Sequence, residues 1–95
     1  MSQYASICIP RLDINTPKEY VFQTLAKLKI GYIKNITEIP LRNDATHKRI
    51  IIKIQWNKYS AKSKQMQEVL SQKGCVKLVH SMPWYWKIVP TLPQA

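Results

Sequence analysis

Ninety-five residues leave room for one domain, which excludes a cleft between catalytic domains and a tandem array. Fifteen Lys and Arg face five Asp and Glu, a net charge of +10 at pH 7, while 45% of the residues are apolar. A chain this apolar is no disordered basic tail, and its charge points to a polyanionic partner: nucleic acid first, an anionic membrane surface or an acidic protein second.

The first predicted element is a strand from Ser6 to Leu12, carrying Ile7, Ile9 and Leu12. Thr16-Pro17-Lys18-Glu19 then reads as a helix start, with Thr16 capping, Pro17 at the first helical position and Glu19 reaching back to Thr16. Val21, Leu25 and Leu28 repeat at helical spacing and Phe22 widens the stripe, so a helix is expected over about 17 to 29, stopped at Gly31. Tyr32 to Leu41 reads as a bulged edge strand, because its isoleucines hold no single period and Pro40 removes a ladder donor. Residues 42 to 48 form the hairpin loop to a strand over Lys48 to Trp56. There Ile50, Ile52, Ile54 and Trp56 share the core face, and Arg49, Ile51, Lys53 and Gln55 share the other. A second helix follows Ser60 or Ser63, with Met66, Val69 and Leu70 on one face and its stop at Lys73-Gly74. Cys75 to His80 reads as the last strand of the domain. Beyond it come Met82-Pro83-Trp84-Tyr85-Trp86-Lys87-Ile88-Val89 and a Pro-containing tail.

The order is a βαββαβ sandwich of the α+β class: a four-stranded antiparallel sheet, both helices on one face, the other face open. The domain is placed at residues 1–82, with residues 83–95 as a Trp-rich extension packing on or beside the sheet. At this point the residues carry a resemblance to the RNA recognition motif, over roughly residues 6 to 82. Arg49-Ile50-Ile51-Ile52-Lys53-Ile54-Gln55-Trp56 resembles the eight-residue signature of that family's third strand, with Arg49 at its basic first position, Ile54 at the aliphatic sixth and Trp56 at the aromatic eighth. Ile7-Cys8-Ile9-Pro10-Arg11-Leu12 resembles its first-strand hexapeptide. The resemblance implies the ferredoxin-like fold. It also implies that Cys8, Ile51 and Lys53 stand where the family stacks bases on aromatic rings, so the usual platform is missing. The wider pattern, with RND and HKRIIIKI followed by PWYWK, resembles small proteins encoded by large double-stranded DNA viruses.

The functional expectation is a non-catalytic module for single-stranded RNA or single-stranded DNA. It would hold its ligand mainly by charge and read sequence weakly. Arg11, Arg49, Lys53 and Lys77 are expected on the open face around Ile51, with Arg42, His47 and Lys48 bordering it from the hairpin loop. Trp84, Tyr85 and Trp86 beside Lys87 can supply an aromatic surface, or their rings can cover Ile51, Cys8 and Val79. In an extended tail Trp84, Trp86 and Ile88 point one way, and Tyr85, Lys87 and Val89 the other. The alternative is a protein-interaction module, or self-association, through the same face and the tryptophans.

Catalysis is not expected, since the carboxylates are scattered, no phosphate-cradling loop exists with two glycines, and no small-molecule substrate is evident. Cys8 and Cys75 make no disulfide framework, and with His47 and His80 they lack zinc spacing, so neither metal nor cofactor is implied. The opening MSQYASICIPRLDIN shows no secretory pattern, and no window approaches the ~20 apolar residues of a membrane span. A reducing, intracellular location is the expectation.

Overall fold

The computed structural model describes residues 4–82 and 84–91; Pro83 and the tail beyond Thr91 lie outside the described residues. Five strands and two helices follow one another as β1 (Tyr4–Asp13), α1 (Lys18–Leu28), β2 (Gly31–Pro40), β3 (His47–Trp56), α2 (Ala61–Lys73), β4 (Val76–Ser81) and β5 (Trp84–Pro90). The strands form one sheet in the order β2-β3-β1-β5-β4, and every pairing is antiparallel.

Alternation in β3 builds the centre. Ile50, Ile52 and Ile54 are fully buried, and they meet Ile7 and Ile9 of β1, Ile33 of β2 and Trp86 and Ile88 of β5 in one cluster. Val21 and Leu25 of α1 and Met66 and Leu70 of α2 close it from the same side. Each fully buried aliphatic side chain contributes about 1.5–3 kcal/mol, so this layer carries the fold. No helix among the described residues is long and apolar enough to cross a membrane.

The four-stranded sheet expected from sequence is corrected to five strands. The segment read as an extension is β5, and it takes the place beside β1, while Val76–Ser81 is displaced to the sheet edge. Burial explains the exchange. Trp86 and Ile88 give β5 two large apolar side chains on its core face, whereas β4 offers Leu78 and the half-buried Val76. The strand with more to bury occupies the inner place.

Two start-and-stop signals also resolve differently. Thr16 does not cap α1: its amide donates to the carbonyl of Asp13 at 3.0 Å, and the Asp13 carboxylate accepts from the Asn15 amide at 2.8 Å. That turn leaves extended Pro17 as the cap position, without a side-chain hydrogen bond. The helix ends at Lys29, which takes the left-handed conformation with φ 55°. Gly31 is therefore no helix stop. A Cβ there would stand 2.3 Å from the Gln55 carbonyl oxygen, so glycine lets β2 approach β3. The second helix follows expectation, with Ser60 accepting from the Ser63 amide at 3.2 Å and Gly74 closing it at φ 76°. The bulge expected in β2 falls between Ile33 and Asn35.

Candidate nucleic-acid interface

The sheet side away from the helices is built by the residues that alternate with the core. Across its middle run Thr37, Ile51, Cys8 and Val89, each the register partner of the next. One step along β3 on the same side lies Arg49, opposite Ile39, and in the other direction Lys53, opposite Asn35 and Ser6. On β5 the corresponding positions are Lys87 and Tyr85, which face Lys77 and Val79 of β4. Arg49, Lys77 and Lys87 are exposed, and Lys53 is half-buried.

Three details give this face its character. Lys77 and Lys87 are direct register partners, an arrangement of like charges that costs stability in the free protein. Lys77 also holds its ammonium 5.1 Å from the centroid of the Tyr85 ring. Arg49 spans the surface from β3 to β1, its Nε donating to the Sγ of fully buried Cys8 at 3.1 Å. The chain's five carboxylates lie elsewhere. Glu19 and Glu68 are on helices, Asp13 closes its turn, Glu38 sits opposite core-facing Ile50, and Asp44 is in the β2–β3 loop.

The structure brings Arg49, Ile51, Lys53, Lys77, Tyr85 and Lys87 together on one side of the sheet and removes five predicted residues from the group. Lys48 is 6% exposed on the side of Ile50, where Glu38 accepts from its Nζ. It does not border the open face, because strand alternation carries it to the helix side. Arg11 is bound to Asp44 across the end of the sheet, so its charge is already compensated. Trp86 is 6% exposed and packs edge-on against Tyr20, with ring centroids 5.8 Å apart and planes at 90°. It belongs to the core, and no indole covers Ile51 or Cys8. Trp84 alternates to the same side as Trp86 at the hairpin tip and is 67% exposed. Arg42 stays in the loop, near Arg11 and Asp44. Sequence reasoning missed Tyr32, an exposed ring opposite Gln55 on the open side; its alternation with buried Ile33 was the available signal.

Asp44 organises that loop. Its Oδ1 accepts from the Thr46 hydroxyl and from the Thr46 amide at 2.9 Å, and its Oδ2 lies 3.0 Å from His47 Nδ1. The Thr46 hydroxyl, then the Thr46 amide, with His47 adding to both, hold the Asp44 carboxyl well below the usual carboxylate range against the opposing effect of burial. The sign follows from linkage. A depressed carboxylate contributes stability fully above its unfolded pKa of about 3.9, and that contribution fades as pH falls below it. Asp44→Asn is thus expected to be less stable than wild type at pH 7 and to converge with it on acidification. Paired urea melts from pH 7 to pH 2 measure this, and a constant gap across the range would contradict it.

Among the described residues, no group of three or more His, Cys, Asp or Glu stands together as a metal site. Neither a known protein family, nor a curated protein, nor a solved structure matches the chain.

Proposed function

We propose that the chain is a non-catalytic module that binds single-stranded nucleic acid, RNA or DNA, on the open face of its sheet. In this reading β1, α1, β2, β3, α2 and β5 follow the ferredoxin-like plan of the RNA recognition motif, and β4 is an added edge strand. The observation that carries the reading is the register pairing of Lys77 with Lys87, on a face that also presents Arg49 and Lys53. Like charges held opposite each other destabilise the free protein, and a polyanion laid across them relieves the repulsion. Ile51 and Cys8 occupy the middle of the face, so phosphate contacts dominate and sequence preference is weak.

A titration of labelled single-stranded RNA, single-stranded DNA and duplex tests this. Neutralising three or four phosphates gives a log–log salt slope of about −2 to −3, a loss of roughly 15- to 60-fold between 50 and 200 mM salt. Arg49→Glu combined with Lys87→Glu should weaken binding to every sequence alike. Absence of binding by all three probes at ~50 mM salt removes the reading. If sedimentation then showed salt-insensitive self-association, docking of a protein on the same face would take its place.

A further inference from the structure

We propose that Tyr85 is a base-stacking position, taking an unpaired nucleobase whose adjoining backbone phosphate is held by the Lys77 and Lys87 pair; this rests on the nucleic-acid reading above. At the centre of the open face the middle strands place Cys8, Ile51 and Lys53, none of which carries a ring. The other exposed rings lie off the lysine pair. Tyr20 and Phe22 are on α1, Tyr59 is in the turn before α2, Tyr32 is on the far edge strand, and Trp84 turns to the helix side. Among the exposed rings of the described residues, Tyr85 is the one that shares its side of the sheet and its hairpin with both lysines.

Its setting suits a base. Tyr85 is on a strand, so the backbone holds the ring in place, and the Lys77 ammonium over the ring restrains it further. Half of the residue remains open to solvent, and half-exposed Val79 directly opposite adds apolar surface beside it. Lys87 lies two residues along the same strand and therefore on the same side, about 7 Å away at ordinary strand rise. A base on the ring thus has both cations together on one side of it, one step along the hairpin, for its adjoining backbone. Stacking of this kind accepts any base, because every base has a π-face, and it discriminates against duplex, whose bases are already stacked.

The test compares an eight-nucleotide oligo-dT with an abasic strand of the same length, at ~50 mM salt, against wild type, Tyr85→Ala and Tyr85→Phe. Wild type and Tyr85→Phe are expected to prefer oligo-dT by roughly 5- to 150-fold, the range of one base–aromatic stack. Tyr85→Ala should bind both strands equally, at the abasic level, with an unchanged salt slope because no charge is lost. Retention of the oligo-dT preference by Tyr85→Ala overturns the assignment, as does equal binding of the two strands by wild type. Those outcomes leave phosphate binding intact, whereas binding of neither strand removes the nucleic-acid reading itself. Tyr85 is exposed enough for the alanine variant to fold, and Tyr85→Phe reports on the ring without the hydroxyl.

Discussion

Trp86→Ala should lower the free energy of unfolding by about 3–5 kcal/mol, the usual cost of deleting a buried indole. A domain of this size holds roughly 5–14 kcal/mol in all, so the loss is about a fifth or more of its stability. The cause lies in the packing of β5. Trp86 fills the core beside Ile88 and meets Tyr20 edge-on, and its removal opens a cavity between the sheet and α1. Urea denaturation at pH 7 measures the change. The neighbouring Trp84, exposed at the hairpin tip, should alter stability by no more than ~0.5 kcal/mol when replaced by alanine. A Trp86→Ala protein of wild-type stability would contradict the core placement. For the ligand, the protein that remains folded should bind as wild type does, since the indole does not reach the basic face.

Gly31→Ala is the second large effect. The added Cβ would fall 2.3 Å from the carbonyl oxygen of Gln55, 3.0 Å from its carbonyl carbon and 3.1 Å from the Cα of Trp56. All three neighbours are backbone, so no side-chain rotation relieves the overlap, and β2 must move away from β3. Overpacking of this severity costs about 2–3 kcal/mol, which at 4–8 °C per kcal/mol lowers the melting temperature by roughly 10–20 °C. A thermal melt within a few degrees of wild type would refute the close approach. Gly74 has a different requirement: nothing lies within 4 Å of its added Cβ, and only its left-handed φ of 76° constrains it.

What could be read from sequence was local. The alternation of Ile50, Ile52 and Ile54 needs no partner to be recognised, and Ser60 and Gly74 mark the ends of α2 within a few residues of chain. Gly31 was misread because one residue type serves two purposes, ending helices and admitting a close backbone. The choice between them depends on Gln55, on another strand. Thr16 and Pro17 formed a plausible helix start until Asp13 claimed the Thr16 amide. For β5 the alternation was legible but the placement was not, since its neighbour β1 lies at the other end of the chain.

The site divides along the same line. Arg49, Ile51 and Lys53 follow from strand parity alone, and the same parity puts Lys48 on the side of Ile50. The pairing of Arg11 with Asp44 spans 33 residues and the pairing of Lys77 with Lys87 depends on hairpin register, so neither could be seen in the linear pattern.

The seam between β1 and β5 has a consequence for how the chain assembles. It consists of the pairs Ile7–Pro90 and Cys8–Val89, with the Thr91 amide donating to Ser6. The β4–β5 hairpin closes locally and quickly, whereas this seam joins the two ends of the described chain and is the contact of highest loop-closure entropy. On a ribosome adding about 5–20 residues per second, β1, β2 and β3 emerge seconds before β5. During that interval the second edge of β1, bearing Ile7 and Ile9, is an open template for other strands. Lys87 thus arrives on the strand that ends this exposure, with Lys77 on the strand just before it, which ties completion of the basic face to closure of that edge.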